Sequence, residues 1–154
     1  MSALVHHHGI EPRPDQPTPS LRTGTAREQR LEPRLKLPAM YTLVRVRLVG
    51  ETPYHWTGHI YDVSLSGMRF ELDEPLLPDS AVEIRAILPG QPPTLVRAAG
   101  HVVRLHEDEP NTVPVRHAMR FDEFASTIDR HRLRDYLASA GLSRRAAVTK
   151  RRAA

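Results

Sequence analysis

Apolar and polar residues alternate through most of the middle of the chain. Val44, Val46 and Leu48 are separated by Arg45 and Arg47, the period of two of a strand with one face in a core and one in water. Met68, Phe70 and Leu72 around Arg69 and Glu71 repeat the pattern, as do Val82, Ile84, Ala86 and Leu88 around Glu83 and Arg85. Trp56 to Val63 reads as another strand between the first two. Leu95 to Leu105 forms a long one whose inward register slips near Gly100, which predicts a β-bulge there. Val113, Val115, Met119 and Phe121 give the last, with His117 in the inward register. Gly50 to Pro53 and the small residues of Ser64 to Gly67 mark turns. Five to six short strands so spaced predict an all-β fold, a small antiparallel barrel.

The period then changes. Phe124, Ile128, Leu133, Tyr136 and Leu137 make a loose helical stripe, interrupted by Arg132, so a helix is expected over about Glu123 to Ser139. Gly141 is expected to cap it, and the helix to close one end of the barrel. Beyond it, residues 141–154 carry Arg144, Arg145, Lys150, Arg151 and Arg152 without an acid and read as a basic tail. At the other end, Pro12, Pro14, Pro17 and Pro19 stand among Ser, Thr, Gln and Asp with no apolar period. Residues 1–25 therefore read as a disordered Pro-rich arm, leaving residues 26–140 as the barrel domain with its helix.

Composition narrows the chemistry. The 154 residues supply one domain, and the absence of cysteine excludes disulfides and thiolate metal sites. Apolar runs are far shorter than the roughly 20 residues that span a bilayer, and Met1 to Ile10 lack the plan of a signal peptide, so a cytoplasmic protein without membrane insertion is expected. The net charge of +4 favours anionic partners. There is no Gly-x-Ser-x-Gly, no His-Glu-x-x-His and no phosphate-binding glycine loop, and His55, His59, His101, His106 and His117 are scattered, so no catalytic residues are assigned and no enzyme is expected. His6, His7 and His8 read as a solvated run rather than a metal site, and no cofactor is implied. Aromatic residues are only 5 % of the chain, which argues against a barrel that stacks nucleic-acid bases.

Two short clusters remain. Arg30 and Arg34 flank Leu31-Glu32-Pro33, and Pro33 holds Glu32 out of the helical region. At i and i+4 of an extended chain the two guanidinium groups face one side, with backbones about 13 Å apart, the scale of a dinucleotide. Asp62, Ser64 and Gly67 lie at the hairpin joining the second and third strands, Gly67 permitting positive φ or close approach of a ligand. Arginine forks onto guanine N7 and O6 or onto phosphate, a carboxylate accepts from guanine's Watson–Crick edge, and a hydroxyl suits phosphate or ribose. The set matches an anionic ligand that displays guanine, as cyclic di-GMP does. Read blandly, Asp62 and Ser64 only brace a turn.

Arg-x-x-x-Arg, 27 intervening residues and then Asp-x-Ser-x-x-Gly resemble the two-part signature of PilZ domains. The Met68-Arg69-Phe70-Glu71-Leu72 strand and Ala118-Met119-Arg120-Phe121 are also similar to that family, over about residues 27 to 137. Gln29 stands where many members carry a further basic residue, and His117 and Ala118 where a glycine is common. The resemblance implies a six-stranded antiparallel β-barrel with a C-terminal α-helix, and cyclic di-GMP bound by Arg30, Arg34, Asp62, Ser64 and Gly67. It implies a receptor in which the Arg30–Arg34 segment orders over the ligand and the new surface meets an unidentified effector protein. A ligand-dependent homodimer stays open. The alternatives are a non-binding barrel of the same family acting as an interaction module, and a basic nucleic-acid-binding barrel.

Overall fold

A computed structural model describes residues 33–106 and 114–152. The elements are β1 (Leu35–Lys36), a 3-10 turn (Ala39–Tyr41), β2 (Leu43–Leu48), β3 (Trp56–Val63), β4 (Gly67–Leu72), β5 (Ala81–Leu88), β6 (Thr94–His106), β7 (Val115–Phe124) and α1 (Thr127–Arg152). Strands β3-β2-β5-β6-β7-β4 lie side by side, and β4 pairs back onto β3, which closes a six-stranded barrel with every pairing antiparallel. β1 is a seventh strand outside the closure. It pairs with the far end of β3, Leu35 opposite Val63 and Lys36 opposite Asp62. Two residues cannot display a period, so the alternation did not reveal it.

The inward positions of the alternating runs fill the barrel: Val44, Val46, Ile60, Phe70, Leu72, Val82, Ile84, Leu88, Val102 and Met119 are almost wholly buried. The expected slip at Gly100 is present, where β6 and β7 shift register between Ala99 and Gly100. A Cβ at Gly100 would sit 1.9 Å from the Arg120 carbonyl oxygen, so the crossing at the bulge needs a residue without one.

The helix departs from expectation at both ends. Glu123 and Phe124 stay in β7 because they pair with Ala99 and Ala98. α1 starts after Ser126, whose Oγ accepts the Asp129 N–H at 3.2 Å as an N-cap and donates to Asp129 Oδ2 at 2.6 Å. The helix does not stop at Gly141 but runs on to Arg152, so residues 142–152 of the expected tail are helical. An interior glycine costs about 1 kcal/mol against alanine, and the Ala, Leu and Arg residues around Gly141 favour helix enough to carry it. Leu133 enters the core with Tyr136 and Leu137 packed beside it, and Tyr136 donates to the Pro89 carbonyl at 2.8 Å. Ile128, expected in that stripe, is exposed. The buried Asp129 accepts from the Arg97 N–H at 2.9 Å and from its guanidinium, which ties the helix to β6. Burial would raise its pKa, but these bonds and the one from Ser126 outweigh it and hold the carboxyl below the usual range. No described helix is long and apolar enough to cross a membrane. The expected disorder of residues 1–25, His6, His7 and His8, and Arg30 lie outside the described residues.

Candidate functional site

A break in strict alternation builds the site. Ile60 faces Phe70 across the β3–β4 ladder, but Asp62, not Tyr61, faces Arg69, and Val63 then faces Met68. Tyr61 is the extra residue of a bulge. With unbroken period two, Asp62 would follow Ile60 into the apolar interior, an unpaired charge at a cost of several kcal/mol. The bulge moves Asp62 to the outer face and gives the inward place to Val63, which is buried.

Once outside, Asp62 is covered by two arginines. Arg34 Nη1 donates to Asp62 Oδ1 at 2.8 Å, and Arg69 Nε donates to Oδ2 at 2.5 Å. The Asp62 side chain keeps 3 % of its exposure, whereas Arg34 and Arg69 keep 29 % and 40 %, so their remaining N–H groups reach solvent. β1 positions Arg34. Leu35 is buried against the barrel and the Leu37 N–H donates to the Tyr61 carbonyl at 2.8 Å, so residues 35–37 have more apolar and backbone anchorage than their composition suggested.

Beside this triad lies a cleft of about 430 Å³, lined by Lys36, Leu37, Tyr61, Asp62, Arg69, Arg116 and His117. The Arg116 guanidinium stacks 4.6 Å from the Tyr61 ring centroid, and the Tyr61 hydroxyl donates to Glu71. Burial, and then the Glu71 carboxylate, push the Tyr61 pKa up, so the phenol stays a donor. His117 is fully buried, stacks on Phe70 with ring centroids 5.4 Å apart, and accepts the Leu76 N–H at Nε2 at 3.0 Å. Burial holds its pKa below the usual histidine range, with a polar contact to the Val115 backbone offsetting part of that. It is a neutral wall of the cleft. Among the described residues no group of His, Asp and Glu could hold a metal ion.

The structure thus brings Arg34 and Asp62 together. Ser64 and Gly67 are close in chain but turned to other tasks. Ser64 Oγ donates to the Gly67 carbonyl at 3.3 Å and accepts the Ser66 N–H at 3.3 Å, bracing the hairpin. Gly67 does not have positive φ. The close approach it permits is to β7, since a Cβ there would lie 2.2 Å from the Met119 carbonyl oxygen. Lys36, Tyr61, Arg69 and Arg116 went unselected because each reads as an ordinary wet-face residue. Only the cross-strand register and the bulge place them around one cleft. The arrangement offers planar, forked donors and an arginine–tyrosine stack, which suit an anionic ligand with a flat ring.

No curated protein matches the chain by sequence. Three solved structures share the fold. The inhibitor of motility MotI/DgrA of Bacillus subtilis aligns with a TM-score of 0.59 at 17% identity, over 76% of this chain and 53% of that one. The PilZ domain of YcgR from Escherichia coli, solved with c-di-GMP, aligns with a TM-score of 0.58 at 18% identity, over 79% and 98%. YcgR from the same organism in complex with c-di-GMP gives 0.54 at 21% identity, over 79% and 50%. The chain therefore spans about half the length of the first and the third. The family model described as the PilZ domain matches residues 28–139, most of the chain and all of the barrel, and the chain belongs to that family.

Proposed function

We propose that the chain is a receptor for cyclic di-GMP rather than an enzyme. The carrying observation is the buried Asp62 carboxylate holding Arg34 and Arg69 side by side at the edge of a basic cleft on a PilZ barrel. Solved relatives of this fold hold that ligand. On this reading Arg30 and Arg34 fork onto guanine or phosphate. Asp62 orients Arg34 and Arg69, and it accepts from a guanine edge only if one of them yields its place. Ser64 and Gly67 serve the ligand by fixing the hairpin on which Asp62 stands.

On this reading the Arg30–Arg34 segment orders on binding, while β1 beyond it is tied to β3 by its own bonds. Its folded form over the nucleotide offers the surface that an effector protein meets in the cytoplasm. The domain that does this is residues 26–140, and Arg144 of α1, beyond it, donates to the Lys36 carbonyl at 3.0 Å. Calorimetric titration with cyclic di-GMP and with cyclic di-AMP is the test. Tight binding of the first and weak binding of the second is expected. Equal affinity would strip Arg30, Arg34 and Asp62 of a guanine-reading role, and no binding of either would return the chain to a non-binding interaction barrel.

A further inference from the structure

The wall of the barrel opposite that cleft carries an arrangement that the ligand reading does not use. In the β2–β5 ladder Arg45 lies directly opposite Arg85, and in the β5–β6 ladder Arg85 lies directly opposite Arg97. All three are exposed. Three arginines thus stand in one row across three neighbouring strands, at the inter-strand spacing of about 4.8 Å. Like charges placed directly opposite destabilise a sheet, and neighbouring rows show the usual remedy: Arg47 faces Glu83 and donates to it at 2.5 Å. Arg97 is held by Asp129. Arg45 and Arg85 have no hydrogen bond or ion pair among the described residues, and Arg85 only leans over Tyr54, 5.5 Å from its centroid.

A hollow of about 270 Å³ adjoins the row, with the Tyr54 ring, Ala98, Ala99 and Ala125 as its apolar surfaces and Glu83 and Glu123 on its rim. Tyr54 is pinned from one side by Arg47, 4.7 Å from its centroid. The two glutamates would oppose a uniform polyanion such as a nucleic-acid backbone or an anionic bilayer. A protein segment can place its carboxylates over the row and a non-acidic residue over the glutamates. On a helix, side chains at i and i+4 stand about 5–6 Å apart, close to the spacing of the arginines.

We infer that the Arg45–Arg85–Arg97 row and the Tyr54 hollow form a docking surface for an acidic helix of a protein partner. Its carboxylates at i and i+4 pair with Arg45 and Arg85, and a neighbouring apolar side chain enters the hollow. The surface is independent of the cyclic di-GMP reading, and partner and nucleotide would occupy opposite walls of one barrel.

The test uses the full chain and three fluorescein-labelled probes. One is a helical peptide with glutamates at i, i+4 and i+8 beside leucines, one the same peptide with glutamines, and one a short oligothymidylate. Fluorescence anisotropy should show binding of the glutamate peptide only. The Arg45→Thr/Arg85→Thr variant should lose about tenfold in that affinity, as expected for two exposed charged contacts. Its melting temperature should rise by about 2 °C, because the opposed charges are relieved, and its titration with cyclic di-GMP should match the parent's. Failure of the glutamate peptide to bind, equal binding of the glutamine peptide, stronger binding of oligothymidylate, or an unchanged affinity in the double variant would each overturn the assignment. So would a lowered melting temperature, which would make the row a stabilising feature of the sheet.

Discussion

Asp62→Asn separates two roles for the central carboxylate. The side chain is almost fully buried and receives charge-assisted bonds from Arg34 at 2.8 Å and Arg69 at 2.5 Å. A hydrogen bond to a charged group contributes about 1.5–3 kcal/mol. Both guanidiniums are partly exposed and can turn to water when the carboxylate is gone, so the lower end applies to each. Asparagine retains one acceptor and points its amide N–H groups at a cation. The expected loss is about 2–3 kcal/mol, or roughly 5–10 °C in melting temperature for a chain of this size. Urea unfolding of the parent, Asp62→Asn, Arg69→Ala and the double variant gives a thermodynamic cycle. Because both single changes remove the same contact, their losses should sum to more than the loss in the double variant, by about 1 kcal/mol or more. Cyclic di-GMP affinity should fall in Asp62→Asn, since Arg34 and Arg69 lose their common anchor. Strict additivity, or parent-like stability with lost binding, would refute this and return Asp62 to direct contact with guanine.

His117 gives the fold a pH dependence. Its pKa is lowered in the folded state, so below the ordinary value of about 6.5 the unfolded chain takes up the proton first and stability falls with pH, at up to about 1.4 kcal/mol per unit. His117→Gln, whose amide oxygen can accept the Leu76 N–H, should remove that part of the slope between pH 7 and pH 5; parallel curves of stability against pH would contradict it. Gly67→Ala should cost about 1–3 kcal/mol by overpacking against the Met119 carbonyl, read by urea unfolding, and an unaltered midpoint would show that β4 and β7 can separate freely. Asp129→Ala should cost about 1–2 kcal/mol through loss of the acceptor for the Arg97 N–H and of the carboxylate that orients the capping Ser126 hydroxyl, and should speed amide exchange in the first turn of α1. If exchange rises only near Arg152, the capping account fails.

The order and type of the six barrel strands were legible in the sequence because a half-buried strand writes its environment as a period of two. The alternations at Val44–Leu48, Met68–Leu72 and Val82–Leu88 became β2, β4 and β5, and the slip at Gly100 became the β6–β7 bulge. The motif residues Asp62, Ser64 and Gly67 were legible by type and spacing. Their division of labour was not, since it depends on which strand lies opposite: Gly67 answers to the Met119 carbonyl, fifty-odd residues away in sequence. The same holds for Arg69, an unremarked wet-face residue until the Tyr61 bulge sets it against Asp62. Helix ends were misplaced because Gly141 is a stop only when packing or capping does not favour continuation, and local pattern carries neither. What the chain encodes locally is each residue's preference for core or water. Which charges meet is decided by register, and register is a property of two strands at once.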